Sequence, residues 1–213
     1  MILNPLQNHF YSECYYNMDI VIIKYNAGNI QSVLYALERI GKSGQVSDDH
    51  DIIRNAGKVI FPGVGEASSA MRYLKERKLD TLIAGLKQPV LGICLGMQLM
   101  CRNSEENNTE CLGIFDEQVK KFDTGETGIK VPQIGWNKVD HAGSSLFDGI
   151  NQGSFFYFVH SYYAALGPHT NGQAEYILPY SAALHRDNFF GVQFHPEKSA
   201  AAGEQLLTNF IAL

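Results

Sequence analysis

Two short stretches, about a hundred residues apart, carry residue types that combine into one chemistry. In GICLGMQ, residues 92–98, Cys94 stands in a Gly-x-Cys-x-Gly arrangement between an apolar run and a helical stretch, the pattern of a nucleophile elbow. Such an elbow needs a sharp turn that pushes the side chain out of the sheet, and small neighbours at Gly92 and Gly96 leave room for it. A thiol placed there lies over a helix N-terminus, whose partial positive charge favours the thiolate. The competing reading is a buried structural cysteine. In FGVQFHPE, residues 190–197, His195 ends an apolar run and Glu197 follows, and strand alternation would aim the two side chains the same way. A carboxylate beside an imidazole fixes its tautomer and stabilises the imidazolium, so the pair reads as base and orienting acid for Cys94. The glycine-flanked loop FPGVG, residues 61–65, offers the backbone N–H of Val64, with that of Leu95, as oxyanion donors. Alone, that loop reads as a tight turn.

The elements around these residues are consistent with such a site. DIVIIK (19–24), KVIFP (58–62) and PVLGI (89–93) are continuous apolar runs, and helical spacing follows the first two: Ile30, Val33, Leu34, Leu37 and Ile40, then Met71, Leu74, Leu82, Ile83 and Leu86. Strands alternating with helices predict right-handed parallel crossovers, with ligands at the carboxyl ends of the strands. Past Val119, aromatic and β-branched runs follow one another directly: KVPQIGWNKV, SFFYFVHSYY, QAEYILPY, and AALH turning through Asp187 and Asn188 into FFGVQFHPE. The predicted fold class is α/β, an open and mostly parallel sheet flanked by helices with an antiparallel C-terminal portion. A last helix over 200–213 carries Leu206, Phe210 and Leu213 on one stripe, with Ser199 as its expected cap. The polar cluster at 102–110 reads as a surface loop.

Composition narrows the partners. The chain has 213 residues, 45% hydrophobic and 18% charged, enough for a sizeable core in one domain. A net charge of −5 with no basic block argues against nucleic acid and against a polybasic membrane anchor. No apolar run approaches the roughly 18 residues of a membrane span. Residues 1–17 lack a basic start and an apolar segment, so they read as a flexible N-terminal extension to a domain over 18–213. Four cysteines (Cys14, Cys94, Cys101, Cys111) without a CxxC pair predict free thiols and a reducing, cytoplasmic setting.

FPGVG, GICLGMQ and HPE, in this order and spacing, resemble the class I (triad) glutamine amidotransferases, a family of flavodoxin-like fold, from about Met18 to the C-terminus. YNAGN (25–29), PQIGWN (132–137) and FVHSY (158–162) are similar to the branch that serves as glutaminase subunit of imidazole glycerol phosphate synthases. The chain departs from that pattern at Asn26, where a glycine is common, and at Gln133, where a histidine is common. The resemblance implies attack on the side-chain amide of L-glutamine by Cys94, with His195 as proton carrier and Glu197 orienting it. It implies that Gly63 and Val64 form the oxyanion loop with Leu95, and that Gln98, Glu106, Ser161 and Tyr162 surround the substrate. It further implies a (β/α)8-barrel cyclase as heterodimer partner and recipient of the ammonia, with Asn29, Gln133, Trp136 and Asn137 at the interface. No metal or organic cofactor is implied. Two rivals stay open: a triad glutaminase serving anthranilate or aminodeoxychorismate formation, and a flavodoxin-like binding module with an inert cysteine.

Overall fold

In the computed structural model, which describes residues 19–26, 28–125 and 128–213, the apolar runs of the first half become parallel strands. These are β1 (Ile20–Ile23), β2 (Gln45–Ser47), β3 (Lys58–Phe61) and β4 (Val90–Ile93), in the spatial order β2-β1-β3-β4. β2 has only three residues and its pattern is half-buried, too little for periodicity to reveal. The extension expected over residues 1–17 lies outside the described residues.

Helices cover both faces, which is why these strands read as unbroken apolar runs. Val21, Ile23, Val59, Phe61 and Val90 share a core with α2 (His50–Arg54), α3 (Ala67–Glu76), α4 (Leu79–Ala84) and α5 (Leu95–Met100). Their alternate neighbours Ile20, Ile22, Ile60, Leu91 and Ile93 share another with α1 (Ile30–Arg39) and α6 (Ala200–Ala212). The helical spacing from Met71 to Leu86 belongs to two helices, because Lys78 takes a left-handed backbone (φ 55°) between α3 and α4.

The second half is aromatic and mostly antiparallel. It contains β5 (Asn103–Ser104), β6 (Thr109–Glu110), β7 (Gln118–Lys121), β8 (Gln133–His141), β9 (Ser154–His160), β10 (Tyr162–Ala164), β11 (Thr170–Glu175), β12 (Pro179–Arg186) and β13 (Phe189–Val192), with β5 beside β7 as a parallel pair. The stretch expected as a surface loop, 102–110, is instead the small hairpin β5–β6 closed by a 3-10 turn at Glu106–Asn108, in which Asn107 and Asn108 have φ 52° and 48°.

One strand joins the halves. β13 turns back from β12 through Asp187 (φ 53°), as its turn residues predict, and then lies parallel beside β4 with Val192 opposite Ile93. β3 flanks β4 on the other side, with Phe61 opposite Gly92. The loops leaving β3, β4 and β13 therefore emerge side by side at the carboxyl edge of the sheet.

Candidate active site

Cys94 is the first residue past β4, and its φ of 53° and ψ of −109° are a conformation that a non-glycine residue adopts only when its surroundings enforce it. The surroundings here are close backbones. A Cβ on Gly96 would stand 1.8 Å from the Phe61 carbonyl oxygen, and one on Gly92 would stand 2.8 Å from the Met97 nitrogen. The two glycines thus let α5 pack directly on β3 and β4. α5 spans six residues, so its dipole adds less to the thiol than a long helix would. The Cys94 Sγ lies 3.9 Å from the Val159 carbonyl and 3.7 Å from the Gln193 side-chain nitrogen.

His195 and Glu197 reach the same point by a route other than strand alternation. β13 ends at Val192; His195 caps a 3-10 turn over Pro196–Lys198 that folds Glu197 back beneath the ring. His195 Nδ1 and Glu197 Oε1 are 2.7 Å apart and both side chains are buried. Burial pushes the imidazole toward its neutral form. Hydrogen bonds and charge at Cys94 and Glu197 outweigh it, raising the His195 pKa and favouring an imidazolium beside the sulfur. The Ser199 hydroxyl, expected to cap α6, instead donates to the His195 carbonyl at 2.7 Å and accepts from the Tyr157 N–H at 2.9 Å. It ties the turn to β9.

The residues expected around the substrate share one cleft of about 470 Å³ with Cys94 and His195. Its walls include Gln98, Glu106, Ser161 and Tyr162, with Val64 and Leu95 at the oxyanion side. Gln98 is buried, and its amide donates to the Tyr162 carbonyl and to Gln193 Oε1, both at 2.9 Å. Glu106 accepts from the Ala67 N–H at 2.7 Å. Burial raises its pKa and the Glu66 charge adds to that, against the pull of the Ala67 hydrogen bond.

The oxyanion residues are together, yet their donors are not both available. The Leu95 N–H donates to the Gly63 carbonyl at 3.2 Å. The Gly63–Val64 peptide is trans, so the Val64 N–H points opposite to that carbonyl and away from Leu95. Gly65 has φ 131° with open space where a Cβ would be, a backbone free to accommodate a turned-over peptide.

The four residues expected at a partner interface fall in different places. The Asn29 side chain faces the triad: its amide donates to Glu197 Oε1 and lies 3.5 Å from His195 Nδ1. Since Nδ1 carries the proton shared with Glu197, the carboxylate is the partner of Asn29. Gln133 is buried and accepts from the Tyr180 hydroxyl at 3.1 Å, so its side chain is not at the surface. Asn137 donates to the Glu175 carbonyl at 2.8 Å. Trp136 is exposed, at 52% of its surface, and Ile134 and Phe155 beside it are as open.

Several participants carry no signal of their own in the sequence. Gln193 joins only because β13 lies beside β4, which brings its side chain to Cys94 and Gln98. Arg39, at the end of α1, donates to the Glu197 carbonyl at 3.2 Å and pairs with Glu204 at 2.9 Å. His160 donates from Nδ1 to the Tyr162 carbonyl at 2.7 Å, and burial lowers its pKa to about 4, leaving a neutral ring on the cleft wall. Among the described residues no group of three or more His, Cys, Asp or Glu is placed to hold a metal ion, and no helix is long and apolar enough to cross a membrane.

Taken together, a thiol and an imidazolium lining a cleft large enough for an amino acid, with a buried carboxylate behind the imidazolium, can form and hydrolyse a thioester. The chain is 55% identical over 196 residues to the imidazole glycerol phosphate synthase subunit HisH of Bacteroides fragilis, covering 92% of this chain and 100% of the relative. It is 48% identical over 198 residues to the protein of the same name from Escherichia coli K12, again covering 92% and 100%. The solved structure of PurLQS from Thermotoga maritima shares the fold at a TM-score of 0.67 and 14% identity, covering 91% of this chain and 97% of that one. Residues 21–213 match the model of the class-I glutamine amidotransferases, and the chain belongs to that family.

Proposed function

We propose that this chain is the glutaminase subunit of an imidazole glycerol phosphate synthase, hydrolysing L-glutamine to glutamate and passing the ammonia to a separate cyclase subunit in histidine biosynthesis. The observation that carries the chemistry is the Cys94 thiol beside His195 in the lining of one cleft, with His195 bonded in turn to Glu197. In this reading the sulfur attacks the carboxamide carbon, and the tetrahedral oxyanion develops toward Leu95 and Val64. His195 gives its proton to the departing ammonia, leaving a thioester on Cys94. It then takes a proton from water as that water attacks the thioester, releasing glutamate and the thiolate. Glu197 keeps the imidazole in the tautomer both steps need.

The partner we infer is a (β/α)8-barrel cyclase, in a cytoplasmic heterodimer. Full-length similarity to HisH subunits supports a synthase partner. A surface feature supports its position: Ile134, Trp136 and Phe155 are exposed on β8–β9, and Val159, paired with Ile134, lines the cleft. An apolar strip thus runs from open surface to the substrate wall, where a docked subunit would close the mouth.

With the Gly63 carbonyl holding the Leu95 N–H, the oxyanion site lacks both donors. Losing one such donor costs roughly a hundredfold to a thousandfold in turnover, so the free chain should hydrolyse glutamine slowly. Turning over the Gly63–Val64 peptide would release Leu95 and bring the Val64 N–H inward, and we assign that motion to partner and acceptor binding. The test of the whole reading is ring closure by the chain copurified with the candidate cyclase. Cys94→Ser should abolish synthesis from glutamine and leave synthesis from ammonium salts largely intact. Equal loss with both nitrogen sources would overturn the division of labour.

A further inference from the structure

Gly63 is held from two sides. Its carbonyl accepts from Leu95, and the hydroxyl of Tyr25 fills the place where a side chain would begin: an ideal Cβ on Gly63 would stand 2.0 Å from that oxygen. Tyr25 follows β1 and is buried, its ring tilted on Phe61 at a centroid distance of 5.1 Å. Its hydroxyl is fully enclosed and has no hydrogen-bond partner. A buried hydroxyl without a partner is costly and rare in a native fold, and the triad chemistry above makes no use of this one.

We propose that the Tyr25 hydroxyl is the donor that receives the Gly63 carbonyl when the Gly63–Val64 peptide turns over, making Tyr25 a positioning residue for the working oxyanion loop. The inference rests on the peptide turnover put forward under Proposed function. When the carbonyl leaves the Leu95 N–H it must find another donor or be stranded, because this loop lies against β1 and α5. Rotation about the Cα–C bond keeps the oxygen within about 2.4 Å of the Gly63 Cα, and the Tyr25 oxygen, 2.0 Å from where a Cβ would stand, can be no farther than about 3.5 Å from that same carbon. In the conformation described here both costs fall on one side: Tyr25 is unpaired while Leu95 is blocked. In the turned conformation Tyr25 gains its partner, and Leu95 and Val64 face the substrate. Burial, with the charge of Cys94, pushes the Tyr25 phenol well above its ordinary range, so it keeps its proton and remains a donor throughout the working pH.

The test compares wild type and Tyr25→Phe, each alone and in complex with the cyclase plus an acceptor analogue, by steady-state glutamine hydrolysis and by thermal unfolding. Phenylalanine keeps the ring on Phe61 and removes only the hydroxyl. We expect the ratio of activated to isolated turnover to fall roughly five- to tenfold, the scale of one hydrogen bond, through kcat with KM unchanged. We also expect a melting temperature at or above that of wild type, since an unpaired group is removed. An activation ratio equal to wild type would overturn the role of Tyr25 while leaving the turnover reading intact. A lowered melting temperature with the activation ratio preserved would make Tyr25 merely structural and would also overturn it. Absence of activation in the wild-type complex would sink the turnover reading, and this inference with it.

Discussion

Cys94 leaves β4 through a left-handed backbone, whereas His195 leaves β13 through extended backbone (φ −100°, ψ 94°) and a 3-10 turn held by side chains. The parallel half of the molecule places its reacting group by shape: Gly92 and Gly96 bring α5 against the sheet, and no side-chain cap fixes Cys94. The strand that returns from the antiparallel half places its group by hydrogen bonds, through Ser199 beneath His195 and through Asn29 and Arg39 around Glu197. Backbone shape cannot be lost in part. A hydrogen-bond array can be thinned one partner at a time. The comparison therefore separates substitutions that unfold the elbow from those that leave a folded but slow enzyme.

The largest effect expected is at the elbow. Gly96→Ala puts a methyl 1.8 Å from the Phe61 carbonyl oxygen, and main chain on both sides cannot yield. The loss should reach about 4 kcal/mol or more, read by urea denaturation, with little soluble protein. A variant of near wild-type stability would mean that α5 can lift off β3, and the contrast drawn above would fail. Next comes the hydrogen-bonded side. Glu197→Gln should lower glutamine turnover roughly a hundredfold with the fold intact, because the imidazolium loses its counter-charge while Ser199 still holds the turn. Wild-type turnover in Glu197→Gln would remove its assignment as orienting acid.

The smallest effect concerns the antiparallel wall and is a pH dependence of stability. His160 has its pKa lowered from 6.5 to about 4 by burial, so the unfolded chain binds a proton there that the folded chain refuses between those values. Stability from this group is full above the unfolded pKa and is lost as pH falls toward the folded one, by about 1 kcal/mol between pH 7 and pH 5.5. His160→Phe should flatten that part of the stability profile. If both proteins lose stability in parallel over this range, His160 is not the group that titrates.

Much of the site can be read in the sequence because its signals are local. Glycines at 92 and 96 flank a cysteine at the end of an apolar run, and the structure needs them for the reason that spacing suggests. His195 and Glu197 are also neighbours in sequence, although the 3-10 turn after Pro196 brings them together where alternation was expected to. Asn29 and Gln133 show a limit, since a motif does not specify which groups of its own chain a side chain bonds: here one bonds Glu197 and the other Tyr180. The surface loop expected at 102–110 failed for a similar reason: polar composition does not distinguish an open loop from a hairpin that presents Glu106 to a cleft.

By itself the sequence determined what periodicity and sterics encode within a few residues: the apolar strands, the amphipathic helices between them, the glycine-permitted elbow and the turn at Asp187. Only the tertiary structure decided which of these are neighbours. β13, nearly a hundred residues after β4, slots beside it with Val192 opposite Ile93, and that register sets His195 against Cys94. The same packing closes Tyr25 against Gly63 and leaves its hydroxyl unpaired. No local pattern specifies strand order, because an apolar run buries its side chains equally well beside several others, and the choice among them is made by the packing of the whole sheet.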